Sequence, residues 1–379
     1  MLITADAVVT GTEVMRPGWI EVTGGRVAAV GAGVPDRPVD HALGAVTVVP
    51  GFVDMHTHGG GGGAFSDATA EATQEAVAFH RRHGTTRIMA SLVSAHPGDL
   101  LRQVSVLAEH VQDGRILGVH LEGPWMSPNR LGAHDRSTLR NPEPDELVRV
   151  FAAADGAIRM VTLAPELPGS LRAVRQIAEA GAVAAVGHTD ATYDETRAAI
   201  DAGATVATHL FNAMRPIHHR EPGPIVALVE DPGVTIEMIT DGTHLHPAIY
   251  REYARRVGAE RVALVTDAMS AAGMCDGRYL LGSLAVEVVE GTARVAGTET
   301  IAGSTATMDQ LFRFAVTHGG HTGDAALLHA ARQTSVNPAR TVGAEDAALT
   351  PGGRADLVVL DADLQVDRVM TTGRWLDLP

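Results

Sequence analysis

The chain has 379 residues, 45% of them hydrophobic, and a formal net charge of −15. That length is too great for one small core and suits a barrel with a smaller appended unit, and the apolar content excludes wholesale disorder. An acidic chain with no long basic run excludes nucleic acid and membrane surfaces as expected partners, and an anionic substrate would need a local basic pocket.

The first fifty residues alternate apolar and polar between Gly and Pro in LITADAVVTG, WIEVTGGRVAAVG and AVTVVPG, the pattern of short β-strands. Between residues 51 and 345 the pattern changes. Apolar runs (GFVDMH, TRIMASL, ILGVHLEG, RMVTLAPE, AVAAVGHT, ATVATHLFN, TIEMITDG and VALVTDAM) alternate with helical stretches that end at Gly. Eight such units predict an α/β fold, a (β/α)8 TIM barrel; polar groups at nearly every strand end favour closure over a doubly wound open sheet. RYLLGSLAVEVVEGTARVAGTE then predicts an extra β-hairpin. The closing stretch ADLVVLDADLQVDRVMTTGRW reads as strands again. Neither end can form a stable sheet alone, so residues 1–50 and 346–379 are expected to join in one small β-sandwich domain.

All 30 basic side chains are arginine, so every mechanism that needs a lysine is excluded. The single cysteine, Cys275, allows no intrachain disulfide and reads as a free buried thiol. No basic leader with an apolar stretch opens the chain and no run reaches the length of a membrane span, so a soluble cytoplasmic protein is expected.

A TIM barrel places its chemistry at the carboxyl ends of its strands. Those ends carry His56-Thr57-His58 on the first strand, Glu122 on the third, His188 on the fifth, His209 on the sixth, His244 after the seventh and Asp267 on the eighth. Imidazole and carboxylate suit Zn2+ or Fe2+, and alternation lets His56 and His58 share a face. Any one of these residues alone is as readily structural; the conjunction at five strand ends is what points to a metal. His80, His83, His96 and His110 read as core or surface-helix histidines. Gly59 to Gly63 would form a phosphate loop only with a lysine, so a flexible rim is the better account.

The segments PGFVDMHTHG, HLEGPW, GHTDAT, THLFNAM, HREPG, DGTH and TDAM occur in this order, and the whole chain resembles the N-acetylglucosamine-6-phosphate deacetylase family of the amidohydrolase superfamily. The resemblance implies a divalent cation held by Glu122, His188 and His209, with His56 and His58 matching ligands of a second one present in some members. It thus implies one or two cations per subunit, with Glu122 bridging in the two-cation case and Asp267 beside them. It further implies Asp267 as acid and base, and His244 as the group that polarises the acyl carbonyl. Ala133 and His134 match a sugar contact, Asn212, Ala213 and Arg220 a phosphate site, and Ile301, Ala302 and Gly303 a further substrate segment. The family is typically a homodimer in which the partner supplies the Arg220 equivalent. The missing lysine agrees, since relatives that bridge two metals with a carboxylated lysine after the fourth strand need one, and that strand here ends at Glu166.

The implied reaction is hydrolysis of the N-acetyl group of a phosphorylated amino sugar. Within the basic cluster nearby, Arg215 and His219 read as solvated and His218 is left open. A different N-acyl sugar phosphate or a nucleobase would be the rival substrates; a barrel that binds without turnover is a rival of another kind, weakened because no ligand or base is missing.

Overall fold

The computed structural model describes residues 1–344 and 346–377. The expected division at 345/346 and the last two residues of the expected β-domain therefore touch positions outside the described residues.

Eight parallel strands pair in chain order: β1 (Phe52–Asp54), β2 (Thr85–Leu92), β3 (Gly118–Glu122), β4 (Ile158–Leu163), β5 (Val183–Val186), β6 (Ala204–Ala207), β7 (Thr235–Met238) and β8 (Val262–Leu264). The first and last strands meet just beyond their ladders. Asp267 N–H donates to the His56 carbonyl at 2.9 Å, and the buried Asp54 carboxylate accepts from the Thr266 hydroxyl at 2.5 Å. This is the expected TIM barrel, with all eight apolar runs as its strands.

Strand alternation explains where the core sits. On β3, Val119 and Leu121 face the helices while His120 and Glu122 face inward; on β4, Val161 and Leu163 face out while Met160 and Thr162 face in. The inner face is layered. Met55, Met89, Met160, Ala185, Val206, Ile239, Ala263 and Val265 form one apolar cluster within it. A polar chain also runs on that face, Ser91–His120–Thr162–Thr208, linked at 2.9, 2.8 and 2.8 Å. Buried polar groups persist only when hydrogen-bonded, and here Ser91 and His120 find partners on the next strand while Thr162 reaches past β5 to Thr208 at the end of β6.

Two further sheets draw on the chain ends. One has the order Arg26–Ala32, Gly18–Thr23, Leu2–Ala5, His41–Ala42. The other has six strands, in which Leu357–Leu360 runs antiparallel to Thr47–Pro50 and so unites carboxyl- and amino-terminal segments. Ile3, Ile20, Val48, Leu357, Val359 and Met370 share one buried cluster there.

Three expectations change. The segment after the barrel is a three-stranded sheet, Gly277–Leu281, Leu284–Val289 and Thr292–Val295, rather than a hairpin. Gly59 to Gly63 is no flexible rim: Gly59–Gly60 and Gly63–Ala64 pair as a packed hairpin, and a Cβ on Gly63 would stand 2.2 Å from the Ala72 carbonyl oxygen. Cys275 is exposed, not buried. No helix among the described residues is long and apolar enough to cross a membrane.

Candidate metal centre

The strand-end residues converge on Glu122, which is buried at the end of β3. Its Oε1 lies 2.9 Å from His209 Nε2 and 3.1 Å from His188 Nε2. Its Oε2 lies 3.1 Å from His58 Nε2, and His56 Nε2 stands 3.6 Å from Oε1. Asp267 Oδ1 closes the second group at 3.0 Å from His58 and 3.4 Å from His56. One carboxylate thus joins two donor sets, His188–His209 and His56–His58–Asp267.

The tautomers show what these sets can hold. His56 gives its Nδ1–H to Glu237 at 3.2 Å, and His58 gives its own to the Ser91 carbonyl at 3.2 Å. As neutral rings they would then face each other with Nε2 lone pairs only 3.3 Å apart. On the other side His188 spends its Nδ1–H on the Arg130 carbonyl, and its Nε2 faces His209 Nε2 at 3.1 Å. The His56–His58 lone pairs, opposed beside two carboxylates, call for a cation, while His209, free at Nδ1, can turn its Nε2 either to a cation or, as Nε2–H, to Glu122 at 2.9 Å. A tetrahedral Zn2+ with bonds of about 2.0–2.1 Å would set its donors about 3.3 Å apart, so the spacing fits. The same demand appears in the proton affinities. Burial disfavours the His58 imidazolium, yet Asp267 and Glu122 more than offset it and the pKa rises to about 9. Burial likewise opposes ionisation of Asp267, but His56 and His58 prevail and lower it to about 2.

His134 approaches Glu122 Oε2 at 3.5 Å and is a third candidate beside Glu122 and His188. Its Nδ1 accepts from Ser94 N–H at 3.2 Å, so Nε2 carries the proton of the neutral ring. The ring is thereby a hydrogen-bond donor toward Glu122 rather than a cation ligand.

The backbone that presents these groups is strained. His188 (φ 47°), His209 (φ 27°) and Asp267 (φ 49°) are all left-handed, as are Phe211 and Ala213. Non-glycine residues rarely adopt this region, and it persists where surrounding structure over-determines it.

A cavity of about 270 Å3 opens above the donors. Ala133, His134, Asn212, Ala213, His244, Ile301 and Gly303 line it, as do Glu122, His188, His209, His58 and Asp267. Ala302 departs from expectation. Its side chain is buried in the cluster of the three-stranded sheet and its N–H is spent on the Ala293 carbonyl, so only its neighbours reach the cavity. Arg220 also stands outside the lining; it is exposed and packs on His219. Arg215 is not simply solvated: it lies 3.6 Å from Asp190, which Arg130 holds at 2.8 Å.

Sequence reasoning missed several residues. Val93 and Leu281 form an apolar part of the wall, with Glu299 and Thr300 on the rim. Asp241 accepts the His244 Nδ1–H at 2.8 Å and fixes that ring's direction. Glu237 binds both His56 and the backbone of His209. DGTH carried a signal for Asp241, three residues from His244; Glu237, inside an apolar run, offered none beyond being an acid where a strand should be apolar.

A cation-ready donor cluster at the carboxyl-terminal mouth of a (β/α)8 barrel, with an acid beside it and a histidine over the cavity, defines a metal-dependent hydrolase. Residues 47–376 match the Amidohydrolase family. An N-acetyl-D-glucosamine-6-phosphate deacetylase structure from Mycobacterium smegmatis, a D267A mutant in complex with N-acetyl-D-glucosamine-6-phosphate, is 62% identical with a TM-score of 0.98, over 99% of this chain and 98% of that one. The Homo sapiens N-acetylglucosamine-6-phosphate deacetylase is 38% identical over 86% of this chain and 82% of its own length. An Escherichia coli O157:H7 N-acetylgalactosamine-6-phosphate deacetylase is 36% identical over 87% of this chain and 88% of its own. The chain belongs to the amidohydrolase family and, within it, to the N-acetylglucosamine-6-phosphate deacetylases.

Proposed function

We propose that the chain hydrolyses the N-acetyl group of N-acetylglucosamine 6-phosphate, giving glucosamine 6-phosphate and acetate. The observation that carries this reading is Glu122 joining two donor sets beneath a cavity that Asp267 and His244 both face. In this reading Glu122, His188 and His209 hold one divalent cation and His56, His58 and Asp267, sharing Glu122, hold a second; Zn2+ suits the nitrogen-rich sets best and Fe2+ is the alternative. When bound, such a cation supplies Lewis acidity toward water and the acyl oxygen.

The chain's own residues do the rest. Asp267 accepts a proton from the attacking water and returns it to the amide nitrogen as the C–N bond breaks, so no free proton is exchanged with solvent during cleavage. His244 donates to the acyl oxygen as negative charge develops there. Because its Nδ1–H is already committed to Asp241, it donates from Nε2 only as the doubly protonated ring. His134 contacts the sugar, Ala133, Ile301 and Gly303 shape the wall around it, and Asn212 and Ala213 approach the phosphate. Arg220 completes the phosphate site from the partner subunit of a homodimer, which accounts for its place outside the cavity of a single chain. We place the enzyme in the cytoplasm and divide it into residues 51–345 as barrel and 1–50 with 346–379 as the β-domain.

Acetate release from N-acetylglucosamine 6-phosphate, its galactosamine epimer and unphosphorylated N-acetylglucosamine tests the reading. The glucosamine phosphate is expected to give the highest kcat/KM. A higher value for the epimer would favour the second reading, for which the similar Escherichia coli relative is the reason. No acetate from any of the three, with metal bound, would end both.

A further inference from the structure

We propose that Glu237 is a positioning residue that couples the two cation sites, one of its carboxylate oxygens holding a ligand of each. The proposal rests on the two-cation reading given above.

Glu237 lies on β7 with no exposed surface, inside a strand whose neighbours Ile236 and Met238 face the apolar layer between barrel and helices. A carboxylate in that position is costly unless hydrogen bonds compensate. Its Oε2 accepts two. One comes from His56 Nδ1–H at 3.2 Å, the other from the backbone N–H of His209 at 3.1 Å. These are ligands of different sets: His56 belongs with His58 and Asp267, His209 with His188. A third tie, Leu210 N–H to the Glu237 carbonyl at 2.9 Å, fixes the register of β6's end against β7.

Each bond has a consequence the other ligands cannot supply. Accepting from Nδ1 selects the His56 tautomer whose Nε2 lone pair points into the cluster. Holding the His209 N–H secures a left-handed residue, φ 27°, whose own Nδ1 has no hydrogen-bond partner. Among the described residues no group hydrogen-bonds the His209 ring at Nδ1, so the backbone anchor on Glu237 stands where a ring partner would. Glu237 Oε1 is buried without a partner, which leaves Oε2 as the only oxygen that does this work.

The test compares parent, Glu237→Leu, Glu237→Asp and Glu237→Gln by titrating chelator-stripped protein with Co2+ and reading its visible absorption, with the melting temperature of each stripped protein recorded alongside. Gln can keep an amide oxygen on both N–H groups; Leu offers no acceptor; Asp keeps the charge but is one methylene too short to reach both. The parent is expected to take up two Co2+. Leu and Asp are expected to weaken uptake of the second by about ten- to a hundredfold, as loss of an outer partner of a ligand does, with Gln within about threefold of the parent. Should Leu fail to fold, Asp alone decides the matter. Parent-like uptake by Asp, or Gln as weak as Asp, would overturn the positioning role, including when melting temperatures fall. A parent that binds no Co2+ would instead overturn the metal-centre reading itself.

Discussion

Asp241→Asn tests the most specific part of the proposed chemistry. Asp241 Oδ1 accepts from the backbone N–H groups of Thr243 and His244 at 2.9 and 2.8 Å, and Oδ2 accepts from His244 Nδ1 at 2.8 Å. An asparagine oxygen can keep both backbone bonds, so the turn stays folded. The amide NH2 then faces Nδ1, which must become an acceptor, and the ring flips to the Nε2–H tautomer. A donor toward the acyl oxygen survives, but neutral instead of charged. Hydrogen bonds involving a charged group contribute about 1.5–3 kcal/mol against about 0.5–1.5 for neutral ones, a difference of about 1.3 kcal/mol between midpoints, or roughly tenfold in rate. Since the effect arises as charge develops in the transition state, kcat is expected to fall about tenfold with KM nearly unchanged. His244→Ala removes the donor entirely and is expected to cost about 10²–10³ in kcat. Steady-state acetate release with both variants measures the gap. A loss for Asp241→Asn equal to that of His244→Ala, or one expressed only in KM, would refute the tautomer argument.

Asp267→Asn is expected to lower kcat by about 10²–10⁴ while at least one cation per chain remains by elemental analysis; near-normal turnover would remove the acid–base role. Arg220→Ala should raise KM for the phosphorylated sugar far more than for the unphosphorylated one, and equal effects would remove its phosphate role. Asp309 supplies a prediction about stability: burial raises its pKa, but His83, Thr307 and Arg313 outweigh that and hold it at about 2. The folded value lies below the unfolded one, so its contribution of about 2 kcal/mol is complete above pH ~4 and is lost as pH falls toward 2. Urea unfolding of Asp309→Asn should therefore show a deficit of that order at pH 7 that shrinks to about half by pH 3; a deficit independent of pH would show that the carboxylate charge is not its source.

Much of this was legible along the chain because it depends on spacing. Alternation within short apolar runs gives the strands, and the residue after each run gives the donors; His56, Glu122, His188, His209 and Asp267 could be marked before any contact was known. What stayed hidden depends on partners far away. His56 and Glu237 are 181 residues apart, and nothing local to either announces the other. The Gly59 to Gly63 tract illustrates the same gap: its composition suggests freedom, and only the Ala72 carbonyl pressing on Gly63 shows that the glycines are there for close packing.

Sequence alone determined the fold class, the cation-binding residue types and the exclusion of lysine chemistry, because these follow from local periodicity and composition. Tertiary structure decided the protonation pattern: which imidazole nitrogen keeps its lone pair, that His134 donates rather than ligates, and that Ala302 turns away from the cavity. A tautomer is set by what lies behind the ring, and what lies behind a ring is fixed only when strands distant in the chain close into a barrel.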